Sequence, residues 1–139
     1  MSTQENKDLI QRIFAGFAER NGTLFLDSMA DDVAWENIGS GSWSGTFRGK
    51  ETIVRDLLGP LRGRLAERPR TLAHRFIADG EYVVVEARGD NVTKEGVRYD
   101  NEYCFVFHLK DGKIRYIKEY ADTALVAEAL GEFPAGTKV

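Results

Sequence analysis

The fold is decided by residues 71–122, which read TLAHRFIADGEYVVVEARGDNVTKEGVRYDNEYCFVFHLKDGKIRYIKEYAD. Polar and apolar residues alternate through this stretch, as they do in β-strands that have one covered face. Turn signals divide it at Asp79-Gly80, Lys94-Glu95-Gly96 and Asp111-Gly112. The pattern predicts consecutive antiparallel strands over Thr71–Ala78, Glu81–Asn91, Val97–Leu109 and Lys113–Asp122.

Helical periodicity dominates the part of the chain before these strands. Residues Asn6–Arg20 carry apolar side chains at helical spacing, and Asn21-Gly22 predicts the end of that helix. The Gly- and Ser-rich segment Ile38–Gly49 is typical of a loop. We predict further helices over Thr23–Met29 and Lys50–Leu58, and a strand over Val33–Asn37. Helices followed by strands indicate an α+β fold, which we expect to form one domain over residues 1–139 with a loose tail from about residue 131.

Composition narrows the range of partners. Hydrophobic residues make up 42% of the chain and charged residues 29%, with a net charge of −3. Basic residues are interleaved with acidic ones, so a nucleic-acid partner is not expected. The single cysteine excludes an intramolecular disulfide, and His74 and His108 lie too far apart in sequence to predict a metal site. The short apolar runs and polar N-terminus favour a cytoplasmic protein without membrane contacts.

Several short segments resemble one family. Ala30–Asn37 and Phe47–Glu51 resemble the first strand and third helix start of ketosteroid isomerases and SnoaL-like polyketide cyclases. Tyr99–Tyr103, Asp111–Ile114 and Glu119–Thr123 resemble the last strands of the SnoaL-like group. The order of the segments is kept over nearly the whole chain. The sequence is therefore similar to SnoaL-like, ketosteroid-isomerase-related members of the NTF2-like superfamily.

The resemblance implies a specific shape and several kinds of function. The expected fold is an NTF2-like cone, in which three N-terminal helices pack on a strongly curved antiparallel sheet around a pocket. The resemblance also implies a homodimer and a small hydrophobic organic ligand, cyclic or polyketide-like, that is handled without a cofactor. The chemistry implied is acid–base catalysis of the isomerase, cyclase or epoxide-hydrolase kind. A binding or sensing module without catalysis is the alternative, and a purely structural dimerisation domain is a third.

Glu119 and Asn37 are the catalytic candidates that the resemblance singles out. Glu119 matches the position of an acid–base aspartate in the cyclases. Burial among aromatic side chains disfavours a charged carboxylate and raises its pKa, whereas an outward-facing glutamate is the structural alternative. Asn37 falls where ketosteroid isomerases have their general base. Because an amide cannot accept that proton, steroid isomerisation is not expected, although Asn37 still hydrogen-bonds a carbonyl or orients a water.

Arg88 and Glu86 depend on the register of a hairpin. If Glu95-Gly96 is a two-residue turn, Arg88 lies opposite Tyr103 and Glu86 lies opposite Phe105, so both face the pocket. Arg88 then supplies a guanidinium for a substrate oxygen. A three-residue turn shifts the pairing by one residue, and the alternative is a structural ion pair on the exposed face.

The remaining candidates are expected to bind the ligand rather than to react. Strand alternation puts Asn101 on the same face as Tyr103 and Phe105. The aromatic residues are candidates either for the core or for the pocket, and His74 is either a pocket residue or a structural histidine. The other aromatic candidates are Trp35, Trp43, Phe14 and Phe17.

Overall fold

The computed structural model describes residues 1–134. The helices are α1 (Thr3–Ala18), α2 (Thr23–Ser28), α3 (Lys50–Ile53), α4 (Gly59–Arg64) and α5 (Thr123–Leu130). The strands are β1 (Met29–Asn37), β2 (Gly45–Arg48), β3 (Thr71–Asp79), β4 (Tyr82–Gly89), β5 (Glu102–Lys110) and β6 (Lys113–Ala121). The strands form one six-stranded sheet in the order β2-β1-β6-β5-β4-β3, which curves around the helices. The α+β class predicted from the sequence is confirmed.

The long helix α1 begins at a capping box and packs against the sheet. The Ser2 hydroxyl accepts a hydrogen bond from the Glu5 backbone, and the Glu5 carboxylate accepts one from the Ser2 backbone. Its apolar stripe is buried against β3 and β4. The left-handed residue after the helix is Arg20, with φ of 61°, rather than Asn21 or Gly22. Phe14 and Phe17 from this helix reach toward the concave face of the sheet.

The sheet is mostly antiparallel, but one central pairing is parallel. Strand β1 pairs antiparallel with β2 and parallel with β6, while β3, β4, β5 and β6 pair antiparallel in sequence. A parallel neighbour needs a long crossover, which here contains α3, α4 and the four strands β2 to β5. The expectation of a wholly antiparallel sheet is therefore corrected at β1. Strand β2 also lies inside the segment that was predicted to be a loop.

The predicted third helix is longer than expected and changes its winding. It runs from α3 through a π-helical turn, Val54–Leu58, into α4. The backbone N–H of Gly59 donates to the carbonyl of Val54, five residues earlier. Helix α5 was not predicted from the sequence; the Asp122 carboxylate caps it by accepting backbone hydrogen bonds from Ala124 and Leu125.

Residues after α5 that the structure describes pack back onto the domain. Phe133 is buried, and its ring lies 4.8 Å from that of Trp43 between centroids. The tail expected from about residue 131 extends into residues 135–139, which lie outside the described residues. Within residues 1–134, no helix combines the length and the apolar character needed to cross a membrane.

Candidate functional site

A cavity of about 660 Å³ lies between the helices and the concave face of the sheet. Its size falls in the range of small-molecule sites, roughly 300 to 1,000 Å³. The walls are mainly apolar. The sheet presents inward-facing side chains because alternate residues of each strand point to the same face. Rings on the wall come from Phe14, Phe17, Phe25, Trp35, Phe105 and Phe107.

Glu119 places a carboxylate in this apolar wall. It lies on β6, in register with Asn37 of β1 and Phe105 of β5. Its side chain lies deep in the domain and keeps partial exposure, because it lines the cavity. Burial raises the pKa of Glu119 to about 7. No cationic side chain of residues 1–134 pairs with it, so burial acts unopposed.

A pair of tyrosines stands beside this carboxylate. The hydroxyls of Tyr99 and Tyr103 share a hydrogen bond, and the Asn101 amide donates to the Tyr99 oxygen at 3.4 Å. Burial is the main cause that raises the pKa of both phenols, and the negative charge of Glu119 raises both further. Two hydroxyls that share one hydrogen bond still have one O–H hydrogen to donate. The pair therefore offers a hydrogen-bond donor next to the carboxylate.

Two more polar side chains border the cavity with unused hydrogen-bonding capacity. The Asn37 amide nitrogen donates to the Trp43 carbonyl at 3.3 Å. Its amide oxygen and the indole N–H of Trp35 are buried without a hydrogen-bond partner in the described part of the chain. Unpaired buried polar atoms cost roughly 1–3 kcal/mol each. A bound water or hydroxyl that donates to the Asn37 oxygen, or a bound oxygen that accepts from the Trp35 indole, is therefore favoured.

A second, smaller cavity of about 160 Å³ meets the first at the carboxylate. Trp43 and α5 form part of its wall. Both cavities share Asn37, Tyr99, Tyr103 and Glu119. The polar groups therefore lie at the junction of two spaces, where a ligand in one cavity and a smaller molecule in the other reach the same carboxylate.

The prediction that Arg88 and Glu86 face the pocket is wrong. The turn at Lys94-Glu95-Gly96 contains three residues, and Thr93 bonds to Val97 across it at 2.8 Å. Ala87 therefore lies opposite Tyr103, and Val85 opposite Phe105. On the outer face Arg88 pairs with Glu102 at 3.3 Å and Glu86 pairs with Arg75 at 3.0 Å. The chain therefore adopts the three-residue turn, which is the alternative register that the sequence allows.

Two further candidates do not contact the cavity. His74 lies at a β-bulge between Ala73 and Arg75 and is exposed, because the bulge turns two successive side chains outward. Asn101 faces inward and is fully buried, but its amide is bound to the backbone of Asp122 at 3.1 and 3.0 Å. Its place is structural. It holds the end of β6 and orients Tyr99.

Sequence reasoning missed several residues of the cavity. Tyr99 lies two strand periods before Tyr103 in the same hairpin, so the alternation of inward-facing residues would have predicted its place on the cavity wall. Leu57 and Leu58 line the cavity together because the π-helical turn presents neighbouring side chains to it. Nothing in the sequence predicts that π-helical turn. Three arginines at the mouth, Arg20, Arg62 and Arg68, were not singled out either.

The family assignment follows from a direct match. The model of the family described as the SnoaL-like domain matches residues 10–117. This chain belongs to that family. In this SnoaL-like domain the match begins within α1 and ends within β6 at Ile117, so it includes Asn37, Tyr99 and Tyr103 and stops two residues before Glu119. Comparison with curated proteins finds no match.

Solved structures share the fold of this SnoaL-like domain. An NTF2-like protein of unknown function from Burkholderia pseudomallei has a TM-score of 0.78 at 21% identity, over 94% of this chain and 98% of that one. A putative SnoaL-like polyketide cyclase from Jannaschia has a TM-score of 0.74 at 17% identity, over 95% of both chains. An LEH-like epoxide hydrolase from M. tuberculosis has a TM-score of 0.71 at 23% identity, over 92% of this chain and 90% of that one. These similarities confirm the NTF2-like cone.

Proposed function

We propose that this SnoaL-like domain binds a hydrophobic ring-containing molecule in the large cavity and that Glu119 performs acid–base chemistry on it. The observation that carries the proposal is a carboxylate in an apolar cavity, without a pairing cation in residues 1–134, whose pKa is raised to about 7. Such a group holds and releases a proton at neutral pH, which is what a general acid–base needs.

The proposed reaction moves a proton next to a carbonyl. Ionised Glu119 removes a proton from the carbon beside the carbonyl, and the electron pair of that C–H bond moves onto the carbonyl oxygen to give an enolate. The free O–H of the Tyr99–Tyr103 pair donates to this oxygen. Protonated Glu119 then returns the proton to the same or a neighbouring carbon, which completes an exchange or an isomerisation.

An epoxide-hydrolase reaction has weaker support at this site. Such a reaction needs an acid, an amide, a tyrosine and an arginine, and Glu119, Asn37 and Tyr103 supply the first three here. The arginine candidate Arg88 lies on the outer face. The three arginines of the large cavity do not line the small cavity that meets it at Glu119. We therefore favour proton transfer at carbon. Hydrolysis of epoxides is to be measured alongside it.

The proposal is tested by deuterium exchange, which reports proton transfer without a known product. We expect the protein to accelerate deuterium incorporation into bound cyclic ketones such as 2-tetralone in D₂O, measured by NMR. Glu119→Gln keeps the shape of the side chain and removes the acid–base group, so exchange should fall by on the order of a hundredfold or more. Ketone affinity should change by less than about tenfold.

Glu128→Gln is the matched control, since Glu128 is an exposed acid on α5 that lines neither cavity. It should exchange at the wild-type rate. If the wild-type protein binds cyclic ketones, lactones and epoxides but exchanges or converts none of them, the domain is a binding or sensing module. Equal exchange by wild type and Glu119→Gln would exclude Glu119 as the acid–base group.

We also propose that two copies associate through the outer face of the sheet. This face exposes large apolar side chains at Leu72, Ile77, Tyr82 and Tyr120, and exposed apolar patches favour association. Light scattering should give twice the chain mass of 15.6 kDa. Ile77→Glu should shift the mass toward one chain. A wild-type mass of one chain at micromolar concentration would contradict the homodimer.

A further inference from the structure

The charges on the large cavity are distributed unevenly. Its charged lining residues are one acid, Glu119, and three bases, Arg20, Arg62 and Arg68. The whole chain carries a net charge of −3, so the cavity lining is basic although the protein as a whole is acidic. We propose that the ligand of this cavity carries an anionic group and that Arg62 and Arg68 bind that group at the mouth.

The arginines lie where the cavity opens to solvent. Arg62 and Arg68 are exposed, whereas Phe107 and Ile117 on the inner wall are buried. The three arginines line the large cavity only, whereas Glu119 lies at its junction with the small one. The cavity thus has a basic mouth, an apolar middle and a single acid at the junction.

The guanidinium groups at the mouth have donors to spare. Arg68 has no side-chain partner among residues 1–134. Arg62 uses one nitrogen, Nη1, to donate to the Leu65 carbonyl at 3.1 Å, and a guanidinium has five N–H donors in all. Arg20 is more fully engaged, because it pairs with Glu67 at 3.5 Å and donates to the Arg68 carbonyl. Arg62 and Arg68 are therefore the arginines that remain available to a ligand.

These features define a class of ligand and its orientation. Arginine binds planar anionic oxygens such as carboxylates through paired hydrogen bonds. Ionised Glu119 repels an anion at the junction, so the anionic group is held at the mouth and the apolar rings enter first. The ligand class is an apolar ring system with one anionic group at its end. This inference rests on the proposed ligand cavity, but it does not require catalysis.

The test compares two fluorescent probes that differ by one charged group. 8-Anilinonaphthalene-1-sulfonate carries a sulfonate, and N-phenyl-1-naphthylamine has the same rings without it. We expect the double variant Arg62→Gln, Arg68→Gln to weaken binding of the sulfonate probe by about tenfold or more, and binding of the neutral probe by less than about twofold. Arg68→Gln alone should give a smaller loss of the same selectivity.

The matched control is Arg12→Gln, an exposed arginine of α1 that does not line the cavity. It should bind both probes as wild type does. Added salt should weaken binding of the sulfonate probe to wild type and have much less effect on its binding to the double variant. Circular dichroism confirms that each variant is folded.

Three results would overturn the inference. The first is equal affinity of the sulfonate probe for wild type and the double variant, and the second is an equal loss of affinity for both probes. The third is tighter sulfonate binding by more than about tenfold in Glu119→Gln with no effect of the arginine substitutions, which would place the anion at the junction. None of these results depends on deuterium exchange, so the anion site and the proposed reaction are refuted separately.

Discussion

Replacement of Glu119 by glutamine should change how the stability of the protein depends on pH. The wild-type carboxyl has a pKa of about 7 in the folded protein because it is buried, against its ordinary value of 4.5. Below pH 4.5 both the folded and unfolded chains hold the proton. Between these two values the unfolded chain releases the proton first, so the free energy of unfolding falls as pH rises and levels off above about pH 7.

The size of the effect follows from the two pKa values. They differ by roughly 2.5, and each pKa unit is worth about 1.36 kcal/mol, so wild type should lose on the order of 3 kcal/mol across this range. Glu119→Gln stays neutral at every pH and should not show this loss. We therefore expect the variant to match wild type near pH 5 to within about 1 kcal/mol and to be clearly more stable near pH 8.

Urea unfolding at both pH values, followed by circular dichroism, measures the difference directly. Glu128→Gln removes one exposed carboxylate from α5 and controls for the change in net charge. Parallel pH dependence in wild type and Glu119→Gln would show that the carboxyl is not held neutral by burial. The acid–base role proposed for it would then lose its physical basis.

The remaining predictions concern structural residues and also rely on urea unfolding. Asn101→Ala should lower the free energy of unfolding by about 2–3 kcal/mol, because it removes two part-buried hydrogen bonds to the Asp122 backbone and truncates a fully buried side chain; a loss below about 0.5 kcal/mol would contradict this structural role. Ser2→Ala should cost about 1 kcal/mol by breaking the capping box of α1, and Ser2→Asp should restore most of it; equal stability of both variants would count against the cap. Arg88→Ala should change stability by less than about 1 kcal/mol and leave deuterium exchange intact, since its ion pair with Glu102 is exposed; a loss of exchange would reverse its assignment to the outer face.

The sequence alone determined the features that depend on local patterns. Alternation and turn signals predicted β3 to β6 in order, and helical spacing predicted α1. The same alternation grouped Tyr103 and Phe105 on one face, and the structure places both on the cavity wall. Resemblance to the SnoaL-like family identified Glu119 as the residue to examine. These inferences need only the period of a strand or helix, which is visible in the pattern of neighbouring residues.

Only the tertiary structure decided which side of the sheet each charged residue occupies. One extra residue in the turn at Lys94-Glu95-Gly96 moves Arg88 from the cavity to the outer face, and one bulge does the same for His74. The parallel pairing of β1 with β6 joins Asn37 to Glu119 across most of the chain's length. Because strand side chains alternate with a period of two, a change of one residue in register reverses every side chain that follows, and the packed sheet rather than the local sequence selects that register.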